Sequence, residues 1–181
     1  MIVAISGVAG SGKSTAARAL VDLRGFTTVD LATPMKVFCR EVYGFSDAQL
    51  WGPSEMRNDL DPRWGISPRE ALQKLGTEWG RALHEDTWVR LCLRECAKWP
   101  RAVITDARFR NELQAVRDAG GVLVRLTRGL GSSLDSHASE AEQRTIPDAF
   151  FDVVIDNRFS TVAELQAMVL GVAGVRVERG A

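Results

Sequence analysis

The sequence predicts an α/β fold: a parallel sheet between two layers of helices. Three observations predict it. Short apolar runs alternate with amphipathic stretches along the chain. The runs are almost continuously apolar, as strands buried on both faces of a parallel sheet must be. The first run leads straight into Gly7-Val8-Ala9-Gly10-Ser11-Gly12-Lys13-Ser14, a glycine-rich loop set between a strand and a helix.

The elements follow in order. Residues 1–5 read as a buried strand and 15–23 as its helix. Residues 25–30 read as a second strand, ending in Asp30. A helix is expected over 34–43. Residues 44–65, rich in Asp, Pro, Gly and Trp, read as an irregular excursion. Ser67 as cap, Pro68 in the first turn and Glu70 closing a capping box start the next helix firmly. At 3.6 residues per turn it has three faces. Leu72, Leu75, Trp79 and Leu83 form an apolar stripe, expected to be core. Glu70, Lys74, Glu78 and Arg81 form a charged stripe. Arg69, Gln73, Gly76, Thr77 and Gly80 form the third face. Helix 86–98, strand 102–106 ending in Asp106, helix 109–119 stopped by Gly120 and Gly121, and strand 122–126 come next. Residues 129–147 are polar and glycine-containing, and read as a mobile segment. Strand 152–156 and helix 162–170 complete the pattern. The tail, 175–181, reads as an edge strand or a frayed end.

The chain has 181 residues, which suits one domain with a sizeable core. Lys plus Arg and Asp plus Glu are each 23, so the net charge is zero. With no basic stripe, that argues against a nucleic-acid partner. Only four of the cations are lysine. Arginine forks onto phosphate, though a coding bias also explains most of that count. No apolar run reaches the length of a membrane span, and the first residues enter a strand at once. The expectation is a cytoplasmic protein. Cys92 and Cys96 share a helix face, but with Cys39 the count is odd and the two histidines lie elsewhere. Buried thiols are the better reading than a metal site or a disulfide framework.

The loop carries the chemistry. Its backbone N–H groups and the following helix N-terminus suit phosphate oxygens. Lys13 would reach the β- and γ-phosphates of ATP, and Ser14 would ligate Mg²⁺. Gly10, Ser11, Gly12 and Thr15 belong to the same cofactor-binding set. Asp106, at a strand end, is the second candidate Mg²⁺ ligand; its alternative is a helix cap or an ion pair. Arg108, two residues on, would meet acceptor phosphate or transferring charge. Arg69 could hold a phosphate and Gln73 a base edge, with Thr77 beside them. Close packing against another helix is an equal explanation of that glycine-bearing face. Asp30 and Lys36 flank the second helix start as further substrate-side candidates. Arg125, Arg128 and Arg144 surround a presumptive lid containing His137, a hydrogen-bonding candidate. Of these, Arg128 is the candidate for the catalytic set, and Arg144 reads as a solvent-facing charge.

Taken together, the stretches 7–14, 31–36, 67–81, 105–112, 136–140 and 154–157 resemble the bacteriophage-type deoxynucleoside monophosphate kinases, within the nucleoside monophosphate kinase group. The resemblance spans about residues 1–170. Its most specific parts are Leu-Gln-Lys-Leu-Gly-Thr-Glu-Trp-Gly-Arg at 72–81 and Thr-Asp-Ala-Arg-Phe at 105–109. It implies a P-loop NTPase fold with a five-stranded parallel sheet, in one domain over 1–181. An acceptor-binding insertion over about 31–98 and a short lid over about 128–147 go with it. It implies ATP and Mg²⁺ as cofactors and transfer of the γ-phosphoryl group to a deoxynucleoside 5′-monophosphate. Lys36, Arg69, Gln73 and Arg108 become acceptor-side candidates. Asn157 resembles the position where related kinases pass a loop along the adenine ring; an ordinary strand-to-helix turn is its alternative. The lid carries fewer arginines than that of adenylate kinases, and Trp51 and Trp64 match no family motif. A phage origin would place the protein in host cytoplasm, and a homodimer is compatible with the sequence. The rivals are a dephospho-coenzyme A kinase-like or phosphomevalonate kinase-like enzyme, and a non-catalytic nucleotide switch.

Overall fold

The computed structural model describes residues 1–8, 10–128, 142–143, 145–158, 160–172 and 174. The chain divides into two compact units, Met1–Asp30 with Val89–Ala181, and Leu31–Trp88.

The first unit holds the sheet. Strand β1, Ile2–Ser6, is almost wholly buried. It pairs in parallel with β3, Ala102–Ile104, on one side and β4, Val122–Thr127, on the other. Val3 is thereby opposite both Val103 and Val122. Strands β2, Thr27–Thr28, and β5, Val153–Asp156, are the edges, giving the order β2-β3-β1-β4-β5. β1 thus sits where the chain's direction of travel across the sheet reverses, and ligands bind beyond the strand ends at that place in such sheets.

Helices α1, Lys13–Arg24, and the last helix, Val162–Val172, lie together on one sheet face. Ala16, Leu20, Leu165 and Val169 pack there with Val3, Ile5, Val103 and Val124. Helix α6, Thr87–Cys96, precedes β3 in the chain, and helix α7, Arg110–Asp118, lies against β1 and β4, with Leu113 and Val116 fully buried outside that cluster. It covers the opposite face. Each large aliphatic buried this way contributes about 1.5–3 kcal/mol. β3 stops at Ile104 rather than at Asp106, so Asp106 stands beyond the ladder in the loop that follows. Cys39, Cys92 and Cys96 are free thiols and buried. Burial pushes Cys39 up to about 11. The hydrogen bond to Cys96 pushes Cys92 up, with burial next and the Asp106 and Asp30 carboxylates adding to it. All three pack in the protein interior. Among the described residues, no helix is long and apolar enough to cross a membrane.

The second unit is helical. Helix α2 is Thr33–Tyr43 and α3 is Asp47–Trp51. The irregular reading of 44–65 is therefore corrected. Ser46 and Gln49 form a capping box that starts α3, and Phe45 and Leu50 are buried. A 3₁₀ turn, Ser54–Arg57, and an antiparallel bridge between Asp61 and Ile66 follow. Arg63 clasps the Asp61 carboxylate at 2.9 and 2.7 Å, and this holds Asp61 below its ordinary value. Trp64 donates its indole N–H to the Tyr43 carbonyl at 2.8 Å and stands edge-on to the Tyr43 ring, as a packing residue. Trp51 has the Lys36 ammonium 5.7 Å and the Arg40 guanidinium 5.5 Å from its ring.

The helix beginning at Ser67 departs from its expected winding. α4, Pro68–Gln73, passes into a π-helical stretch, Lys74–Gly80, and then a last turn, α5, Arg81–Leu83. Hydrogen bonds that close i→i+5 advance each residue through a smaller angle, so an apolar stripe laid out at 3.6 residues per turn drifts off the core. Trp79 is 55% exposed and Leu83 68%, and neither is the core residue it was expected to be. Ala71 and Gly80 are buried instead, with Leu72 and Leu75 packed at the margin of the core. A Cβ on Gly80 would fall inside the Trp88 indole, and one on Gly76 would meet Met35 Sδ at 3.0 Å. Trp88 also donates its indole N–H to the Gly76 carbonyl at 2.8 Å. Close packing accounts for both helical glycines.

Candidate active site

The turn between β1 and α1 carries the glycine-rich loop. α1 begins after Gly12, which has φ +101°, a conformation an L side chain rarely adopts. The N-cap residue Gly12 has no side chain with which to cap α1, and the first turn of the helix has no acid. The N–H groups and the positive end of a helix that starts in this way suit an anion. Lys13 curls back over the loop and donates to the Gly7 carbonyl at 2.6 Å and the Val8 carbonyl at 2.8 Å. Gly10 and Ser14 are exposed, and Thr15 is half-buried. Ser11 is buried, and its hydroxyl has no hydrogen-bond partner among the described residues.

Two side chains from beyond the loop hold it, and a third holds the end of β1. Asn157, just after β5, is 6% exposed and donates Nδ2 to the Ser11 carbonyl at 2.9 Å. A Cβ on Gly12 would lie 2.7 Å from that same Nδ2. The Asn157 side chain is thus turned into the underside of the loop, where its amide braces the Ser11 peptide. Arg128, just after β4, donates to the Gly10 carbonyl at 3.2 Å. Gln143, 3% exposed, donates Nε2 to the Ser6 hydroxyl at 2.9 Å. Arg125 donates to the carbonyls of Gln143 and Ile146 and pairs with Asp148 at 3.0 Å. Arg125 is a strut that pins the segment before β5. Sequence reasoning had no signal for Ser6 or Gln143, because their bond spans 137 positions.

Asp30 and Asp106 follow β2 and β3, neighbours in the sheet. Thr105 donates its hydroxyl to Asp30 at 3.4 Å, tying the two strand ends together. From 106 to 109 burial alternates: Asp106 and Arg108 are half-buried, while Ala107 and Phe109 point inward. In extended chain such alternation puts Asp106 and Arg108 on one side.

The second unit carries Lys36, Arg69, Gln73 and Thr77, all half-buried. Arg69 donates Nε to the Asn58 side chain at 2.7 Å. His137 and Arg144 lie outside the described residues.

Comparison with known proteins agrees with this architecture. No protein-family model matches the chain. It is 35% identical to a protein of Acanthamoeba polyphaga mimivirus assigned as a deoxynucleotide monophosphate kinase, across 94% of both chains. It is 48% identical to the deoxynucleoside-5′-monophosphate kinase of Escherichia phage T5 over 56 residues, covering 29% of this chain and 22% of the phage protein. Among solved structures, shikimate kinase from Acinetobacter baumannii superposes with a TM-score of 0.51 at 13% identity, over 95% of this chain and 92% of that one. Shikimate kinase from Aquifex aeolicus gives 0.50 at 14%, over 96% and 97%. At those identities the two structures speak for the P-loop kinase fold alone. The near full-length viral match, on a sheet of this order with an uncapped glycine loop after β1, shows that the chain belongs to the deoxynucleotide monophosphate kinases.

Proposed function

We propose that the protein transfers the γ-phosphoryl group of ATP to a deoxynucleoside 5′-monophosphate and releases the diphosphate. The observation that carries this reading is the start of α1: no cap, no first-turn acid, and a lysine folded over the loop. A triphosphate fits that donor set. Lys13 would leave two carbonyls and follow the β- and γ-oxygens, drawing charge off the transferring group. The backbone of Gly10, Ser11, Gly12 and Thr15 would hold the remaining oxygens, with Arg128 and Asn157 keeping the loop in shape.

Mg²⁺ would supply positive charge that offsets the phosphate oxygens. An exposed hydroxyl and one carboxylate suit it, since it keeps water and substrate oxygens as its other ligands. Ser14 and Asp106 are the proposed protein ligands. Arg108, on the same side of its segment as Asp106, would steady charge on the phosphoryl group in transit or on the acceptor phosphate.

We read the unit Leu31–Trp88 as the acceptor-binding insertion. Arg69, aligned by Asn58, would take the acceptor phosphate, and Gln73 a base edge, with Lys36, Thr77 and Asp30 contributing. The test is ADP formation from ATP and Mg²⁺ with each of the four deoxynucleoside monophosphates and their ribo-counterparts. Strong stimulation by deoxy acceptors with weak ribo activity is the expected result. No stimulation by any of them discards this substrate class and favours another small-molecule kinase or a nucleotide switch.

A further inference from the structure

Two helices of the first unit start beyond neighbouring strands, and their N-termini are treated in opposite ways. α1 is left uncapped. At α7 the protein supplies its own carboxylates. Glu112, 5% exposed, accepts the backbone N–H of Phe109 at 3.1 Å and that of Arg108 at 2.8 Å, both on Oε2. Glu142, from the segment before β5, accepts the N–H of Arg110 at 3.0 Å. Three successive backbone donors are thus occupied by two glutamates.

A glutamate at the third position of a helix ordinarily reaches back to the N-cap N–H alone. Glu112 reaches one residue further, outside the helix, to Arg108. A buried carboxylate between two amides and a helix N-terminus makes strong, short bonds and costs a great deal to leave unmade. The backbone of Arg108 is therefore held from within the protein, while its side chain shares a side with Asp106. The two carboxylates thereby hold the backbone leading into α7 and its first amide.

We propose that Glu112 is a positioning residue that sets Arg108 for phosphoryl transfer. This rests on the role given to Arg108 above. The test is a double-mutant cycle on the full chain, with Glu112→Gln, Arg108→Ala and the double variant. Alone, Glu112→Gln should lower kcat/KM for the acceptor about tenfold, the worth of one charge-assisted hydrogen bond, and leave KM for ATP nearly unchanged. In the Arg108→Ala background it should do nothing further. A full additional loss in that background, or equal losses on both substrates, overturns the proposal alone. Wild-type kinetics for Arg108→Ala overturn the proposal and the role of Arg108 together. If Glu112→Gln does not fold, Glu112→Asp, which keeps the charge and retracts it, enters the same cycle. Amide hydrogen exchange reads the clamp without turnover. The Arg108 and Phe109 amides should exchange slowly in the unmutated protein and faster in the variant. Fast exchange in the unmutated protein overturns the proposal whatever the kinetics.

Discussion

The two units hold their candidate residues by different means. In the sheet unit the glycine loop is fastened through its backbone: Asn157 to the Ser11 carbonyl, Arg128 to the Gly10 carbonyl, Lys13 to Gly7 and Val8. In the helical unit the candidates are held by side chains: Arg69 by Asn58, Lys36 near the Trp51 ring. Backbone fastening fixes a shape that phosphate, the same in every nucleotide, can use unchanged. Side-chain fastening can be remade residue by residue, which suits a site that must choose among acceptors. On the proposed reading, general phosphate binding falls to one unit and selectivity to the other.

The largest effect should come from the loop. Lys13→Ala should lower kcat by about a thousandfold or more, since in the proposed role the lost cation would face developing charge. Near-normal turnover, followed as ADP release, would break the phosphate-loop side of the comparison. In the helical unit, Arg69→Ala should raise KM for the acceptor about ten- to a hundredfold and move KM for ATP far less. Equal changes in both constants would make Arg69 a structural partner of Asn58 and remove selectivity from that unit.

Stability sharpens the contrast further. Gly80→Ala in the π-helical stretch should cost about 1–3 kcal/mol, because Trp88 occupies the space of the new methyl group. Gly171→Ala, in the last helix with nothing among the described residues within 4 Å, should instead gain up to about 1 kcal/mol. Urea unfolding compares the two, and a gain at Gly80 would mean that Trp88 moves aside freely.

The smallest effect concerns acid. Arg63 hydrogen-bonds Asp61 and lowers its folded-state value from 3.8. The resulting stability is present above the ordinary value and fades as pH falls through the lower, folded one. Urea midpoints from about pH 5 to about pH 2 should fall less steeply in Asp61→Asn than in the parent. Parallel acid limbs would show that the ion pair contributes nothing measurable, as exposed pairs often do.

Much of the sheet unit was legible in the linear chain. Buried parallel strands are continuous apolar runs, and a phosphate loop is eight consecutive residues, so both are local patterns. The strands, their helices and the loop after β1 follow from such patterns, although the apolar run carried the third strand on to Asp106 where the ladder ends at Ile104. The helical unit was legible only in part. The Ser46–Gln49 capping box was there to be seen and marks α3. The π-helical winding was not, because regular helical spacing is assumed whenever faces are drawn, and only packing of Gly76 and Gly80 against Met35 and Trp88 decides otherwise. The inward turn of Asn157, the anchoring of Gln143 under β1, and the Glu112 hold on Arg108 likewise belong to tertiary structure. Each is a bond whose partner is set by where the backbone places a carbonyl, a hydroxyl or an amide. Residue type tells what a side chain can bond; the fold alone tells which backbone atom lies within reach.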